Sequence, residues 1–144
     1  MTAPAAAGSP VLDPKTLDEP TLEALIELMF LAVNADGEFS DEERSSFAGQ
    51  VASLSAGRIA GERFRTLATR IEKDSAQGLA ARLEVLKKSF ADPAVAKGAL
   101  ALVVRMVAAD GIIRTAEREL ILEVAEGLGI EGDVAADLVA HAAV

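Results

Sequence analysis

Ala35-Asp36-Gly37 returns 74 residues later as Ala109-Asp110-Gly111, and the same offset aligns the residues on either side of both triplets. Val33 pairs with Val107, Glu43 with Glu117, Arg44 with Arg118, Phe47 with Ile121 and Leu54 with Leu128. Each copy reads as an apolar helix, an Asp-Gly turn and an amphipathic helix that opens on Glu-Arg. One helical hairpin cannot bury its own apolar face. Two copies in one chain therefore predict hairpins packed on each other around a pseudo-two-fold axis.

Local signals place the helices. Asp18 stands where a helix cap is needed, ahead of Glu19 and Pro20, and a first-turn proline lacks only an N–H that would have had no partner. Leu22, Leu25, Ile26, Met29, Phe30 and Val33 follow at spacings of three and four, and Gly37 supplies a stop. Ser40-Asp41-Glu42-Glu43 has the capping-box form and opens a second helix with Phe47, Val51 and Leu54 inward and Gly57 at its end. Between the copies, helices fit at about 60–73, with Phe64, Leu67 and Ile71 inward, and at about 76–90, with Leu79, Leu83, Leu86 and Phe90 inward.

In the second copy Asp92-Pro93 opens a helix through Leu100, Val103, Val104 and Val107 to Asp110-Gly111. A helix over about 115–128 carries Leu120, Ile121, Val124 and Leu128 and stops at Gly129, and Asp133 caps a last short helix with Val134, Leu138 and Val139. No segment alternates for long enough to make a strand. The fold expected is all-α, a compact bundle of six or seven helices. Residues 1–15 are rich in Ala, Pro, Gly and Ser without a hydrophobic period and read as a flexible tail, which leaves 16–144 as a single helical domain.

Composition narrows the chemistry. The chain has no Cys, Trp or Tyr and a single histidine, His141, which excludes disulfides, thiol catalysis, cysteine-bound zinc or iron–sulfur and a multi-histidine metal site within one chain. A net charge of −9 argues against non-specific binding to nucleic acid or to an anionic membrane. The charge is uneven, since Arg58 to Lys88 is net +4 and the remainder −13. That basic run reads as a solvated face, and it lacks the Trp or Tyr on which single-stranded bases stack. Arg105 reads as a solvated helix edge and His141 as a terminal surface residue. The expected partner is a protein rather than nucleic acid. No secretory signal or apolar run of about 20 residues is present, so the expectation is a cytoplasmic protein without direct membrane insertion.

The run Ala35-Asp36-Gly37-Glu38-Phe39-Ser40-Asp41-Glu42-Glu43-Arg44, answered by Ala109-Asp110-Gly111 and then Glu117-Arg118, resembles the TerB-like family of tellurite-resistance and stress-response domains. The resemblance runs from about Thr16 to Val144. It implies an all-helical bacterial cytoplasmic domain that is not an enzyme, with an acidic surface that takes metal ions and, in some members, a membrane-associated protein partner. Ile112, Ile113 and Arg114 stand where the first copy has Glu38, Phe39 and Ser40, so a symmetric pair of metal sites is not implied.

The residues carry a metal reading of their own. Asn34, Asp36, Gly37, Phe39, Ser40 and Glu43 match positions 3, 5, 6, 8, 9 and 12 of an EF-hand loop, but the first position falls on Ala32. In the second copy the first and third positions fall on Met106 and Ala108, which argues against a true EF-hand. What remains is a looser oxygen site for calcium or magnesium, with Asp36, Glu43, Asp110 and Glu117 as candidate ligands and the first loop the stronger. The same residues also have a structural reading: Asp36 and Asp110 brace their turns, and Glu43 completes a capping box at the positive end of its helix. Two function classes follow, an interaction module with a divalent cation as its one cofactor, or a metal-dependent carboxylate hydrolase. A hydrolase needs a pocket that raises the pKa of one carboxyl or holds two metals roughly 4 Å apart. Loops this short offer no cleft-forming insertion, and the expectation is the non-enzymatic module.

Overall fold

The computed structural model describes residues 12–35, 37 and 40–142, with the backbone alone at Asp110. Among these, seven α-helices follow one another without a strand: α1 Glu19–Val33, α2 Asp41–Leu54, α3 Gly61–Ser75, α4 Leu79–Leu86, α5 Pro93–Val107, α6 Thr115–Gly127 and α7 Gly132–Ala142. Single 3-10 turns at Lys87–Phe90 and Ala108–Asp110 extend α4 and α5. The all-helical expectation is met, and the helices fall where the periodicity put them.

Helix α1 is apolar on nearly every side, and such a helix must lie inside. Leu22, Leu25, Ile26, Leu28 and Met29 are all fully or almost fully buried. Its repeat-mate α5 buries Ala96, Ala99, Leu100, Val103, Val104 and Val107, and these two helices share the most extensive contact in the fold. Helix α6 packs on both, and α7 closes over α5 and α6. The repeat is also visible in burial: Phe47 and Ile121 are both in the core, as are Val51 and Ala125. Phe47 stands edge-on between Phe30 of α1 and Phe64 of α3, with ring centroids 6.1 and 5.8 Å away.

Several boundaries differ locally from the expectation. Helix α4 begins at Leu79 rather than at 76, because Gly78 turns the chain with φ +97°. Asp18 has the extended backbone of a cap but makes no side-chain capping bond, whereas Asp92 accepts from the N–H of Ala94 at 2.9 Å. Asp133 lies inside the first turn of α7, where it accepts from the N–H of Val134 at 3.0 Å. Residues 1–11 of the expected tail lie outside the described residues. Residues 12–17 form a turn against the body, with Leu12 over Gly98 and the Arg58 guanidinium donating to the carbonyls of Pro14 and Lys15 at 3.2 and 3.1 Å.

One member of the basic run departs from the solvated face expected for it. Arg82 is buried and donates to Glu27 of α1 through two hydrogen bonds of 2.7 and 2.9 Å. Hydrogen bonding to Glu27 holds the Arg82 guanidinium above its ordinary pKa, against the opposing pull of burial. A four-residue stripe continues outward along α1, with Glu23 meeting Arg63 and Arg70 at 3.0 and 3.2 Å and Glu19 meeting Arg63 at 2.8 Å. These pairs dock α3 and α4 onto α1. Arg105 is exposed, as expected for a helix edge.

Candidate functional site

Among the described residues, both Asp-Gly turns use glycine in the same way. Helix α1 runs out at Asn34 and α5 at Ala108, and each chain then reverses through a glycine in the left-handed region, Gly37 at φ +79° and Gly111 at φ +87°. A side chain is disfavoured there, which is why glycine punctuates both copies. The next helices start at matched residues. Ser40 accepts from the N–H of Glu43 at 3.1 Å while Glu43 accepts from the N–H of Ser40 at 2.8 Å, completing the predicted capping box. In the second copy Glu117 accepts from the N–H of Arg114 at 2.8 Å. A guanidinium has no acceptor, so only this returning half of the box exists there.

Between the turns lies a cleft of about 190 Å³. The first copy lines it with Val33, Glu43, Ser46, Phe47 and Gln50, and the second with Met106, Val107, Ala109, Arg114 and Glu117. Two of the four candidate ligands, Glu43 and Glu117, thus come to one place from opposite halves of the repeat. Each commits its Oε1 to a backbone N–H at the start of its helix. Glu43 is exposed, whereas the Glu117 side chain is only 13% exposed. Asp36 lies outside the described residues, and of Asp110 the backbone alone is described, within the 3-10 turn that follows α5. Among the described residues no three of His, Cys, Asp and Glu converge as a metal site.

One feature of the site escaped the sequence reading. Ser46 and Gln50 share the Glu43 face of α2, a placement their spacing of three and seven residues could have shown. Their counterparts at the 74-residue offset are Leu120 and Val124, so the cleft draws its neutral polar wall from the first copy alone. The side-chain oxygen of Asn34, which matched an EF-hand ligand position, is buried and has no hydrogen-bond partner among the described residues. Asn34 is not among the residues that line the cleft, whose own donors are the carboxylates of Glu43 and Glu117 with the Ser46 hydroxyl and the Gln50 amide, oxygens of the kind a hard cation takes.

A family model for the tellurite resistance protein TerB matches residues 22–138. The chain belongs to the TerB family. The match takes in both Asp-Gly turns and the whole cleft between them, and the seven-helix architecture agrees with it. No curated protein and no solved structure matches this TerB chain. Among its described residues no helix is long and apolar enough to cross a membrane.

Proposed function

We propose that this TerB chain is a non-enzymatic interaction module of bacterial stress response, acting in the cytoplasm, whose inter-repeat cleft takes a divalent cation while its acidic face meets a protein partner. The observation that carries the reading is the convergence of Glu43 and Glu117, one from each repeat, on a single cleft. Calcium and magnesium suit it, because its donors are carboxylate and amide oxygens. Asp36 and Asp110, the carboxylates of the two turns, are the residues proposed to complete the set, with the first turn the stronger. A volume of about 190 Å³ supports an ion with its waters rather than an organic substrate, since small-molecule pockets run to about 300–1,000 Å³. The charge outside residues 58–88, −13, supports a partner met through one face.

Calorimetric titration of calcium and magnesium tests this. Wild type should bind one of them with an affinity of about 10⁻⁴ M or weaker, more tightly as pH rises through the carboxyl range, because the ligands must be ionised. Glu43→Gln should abolish the heat while keeping the helix cap, since a glutamine amide oxygen also accepts from the N–H of Ser40. Asp36→Asn should weaken it likewise. If neither ion produces heat or raises the melting temperature at millimolar concentration, the cation reading falls and the capping role of these residues remains.

A further inference from the structure

Helices α6 and α7 pack side by side and leave a groove of about 240 Å³ between them, lined by Arg118, Leu122, Ala136, Val139 and Ala140. It shares no lining residue with the inter-repeat cleft, and all of its lining except Arg118 is apolar. Leu122 keeps 37% of its surface, an unusual exposure for a large apolar side chain of this fold, while Val139 is buried. Ala136 and Ala140 stand one helical turn apart and are both exposed, and side chains this short leave room on α7 for an incoming one. The volume is below the roughly 300–1,000 Å³ of small-molecule pockets and suits one or two aliphatic side chains of a partner.

Carboxylates border this groove on both helices. Glu119 and Glu126 stand one turn either side of Leu122 on α6, and Asp133 and Asp137 one turn before Ala136 and Ala140 on α7, all four exposed. The two aspartates form the ridge between this groove and the open one that α7 shares with Lys97 and His141. Against them the lining itself offers one cation, Arg118, so the rim stays net negative. We infer that this groove docks a basic amphipathic helix of a partner protein, whose apolar side chains enter between Leu122, Ala136 and Ala140 while its Lys or Arg side chains meet the carboxylate ridges. The inference rests on the reading above that an acidic face meets a protein, and adds the place on that face and the chemistry of the partner. Apolar anchors in a groove supply affinity, and the flanking charges select the sign of what may lie there. The same ridges repel nucleic acid and anionic membrane. A second copy would bring carboxylate ridges against carboxylate ridges, on a chain of net charge −9.

The test is fluorescence anisotropy of a labelled synthetic peptide of Lys, Leu and Ala, its leucines at helical spacing and its lysines on either flank, titrated with full-length protein at low and high salt. Wild type is compared with Ala140→Leu, which fills the groove, and with Glu119→Gln plus Asp137→Asn, which neutralises a carboxylate on each ridge. Asp41→Asn plus Glu42→Gln removes the same charge from the exposed start of α2. Circular dichroism selects the folded variants, and Ala136→Leu replaces Ala140→Leu if that one misfolds. Wild type should bind saturably, and a peptide with serines for its leucines roughly tenfold more weakly. The groove-filling variant and the ridge pair should each weaken binding roughly tenfold, the ridge effect fading in high salt, while the α2 pair stays within about twofold of wild type. A groove-filling variant or a ridge pair that binds like wild type would overturn the inference. An α2 pair that weakens binding as much as the ridge pair would also overturn it, and would leave the acidic-face reading standing as charge alone. Sedimentation showing a wild-type dimer that Ala140→Leu dissociates would make the occupant a second copy, and the inference would fall. If the peptide does not bind at up to about millimolar protein, the inference and the partner half of the underlying reading fall together.

Discussion

Helix α1 carries Glu19, Glu23 and Glu27 at four-residue spacing, and the 74-residue offset puts Pro93, Lys97 and Ala101 at the same positions of α5. On α1 the stripe is acidic and meets arginines of α3 and α4, ending in the buried Glu27–Arg82 pair. On α5 the sign is reversed and the burial is lost: Lys97 shares an open groove with Asp133, Asp137 and His141 of α7. The hairpins repeat, but what covers each of them is chosen by a few charged positions that do not. The basic segment between the copies is therefore more than a solvated face, because its most buried arginine answers the one carboxylate that α1 carries into the core.

The strongest way to break that contrast is at the buried end. Arg82→Ala should cost about 3–5 kcal/mol, since it leaves Glu27 buried without a partner. Replacing both, Glu27→Met with Arg82→Met, should recover most of the loss, because two well-packed apolar side chains carry no desolvation cost. Lys97→Met, at the open groove, should stay within about 0.5 kcal/mol. Urea unfolding of the three variants makes the comparison, and an Arg82→Ala loss no larger than that of Lys97→Met would show that the pair does not hold α4 to α1. The pH dependence has a definite sign. Glu27 raises the Arg82 pKa, so the stability tied to that proton is fully present below the ordinary guanidinium range and lost only as pH rises through the raised value.

The second helices of the two hairpins differ in the same sense. Helix α2 buries only Phe47 and Val51, and a Cβ added at its Gly49 would meet nothing within 4 Å. Helix α6 is wedged among its neighbours, and a Cβ at Gly127 would stand 2.9 Å from Leu83 Cδ1 and 3.2 Å from Leu83 Cβ. One substitution should then have opposite signs in the two helices. Gly49→Ala should stabilise by up to about 1 kcal/mol through helix propensity. Gly127→Ala should destabilise by about 1–3 kcal/mol through overpacking against α4. Melting temperatures that move in the same direction would mean that α2 is as tightly embedded as α6.

Much of this arrangement was legible because its causes are local. The three-and-four spacing fixes a helix, a glycine in the left-handed region fixes its end, and a serine three residues before a glutamate fixes the next start. The repeat marked Glu43 and Glu117 as equivalent residues, but not that they meet, since a two-fold axis makes equivalent residues equidistant from it without bringing them together. Arg82 was not legible, because nothing in a run of arginines and lysines marks which of them turns inward. The hint lay elsewhere, in Glu27 between Ile26 and Leu28 on a helix apolar all round, but its partner is 55 residues away and pattern cannot reach it. The sharing of the cleft by Ser46, Gln50 and Arg114 was missed for a related reason: helix spacing groups residues on one element, and only the folded chain brings residues of both halves of the repeat to one cleft.

The smallest contrast separates the two caps themselves. At Ser40 the hydroxyl oxygen accepts the N–H of Glu43, so Ser40→Ala removes that bond and leaves an amide of the first turn without its partner. Such losses cost about 1 kcal/mol. At Arg114 the capping contact runs the other way, from the Arg114 backbone N–H to Glu117, and it survives any side-chain change except proline. The Arg114 side chain meets Glu117 across a long ion pair, 3.8 Å, and losing that pair in Arg114→Ala should cost within about 0.5 kcal/mol, smaller still in high salt. Thermal unfolding in chelator, at low and at high ionic strength, reads both. A Ser40→Ala loss that shrinks with salt would assign its effect to charge around the turn rather than to the cap. A salt-independent loss at Arg114 comparable to that at Ser40 would show the side chain braced by packing, and the two turns would then be equivalent in strength despite their different caps.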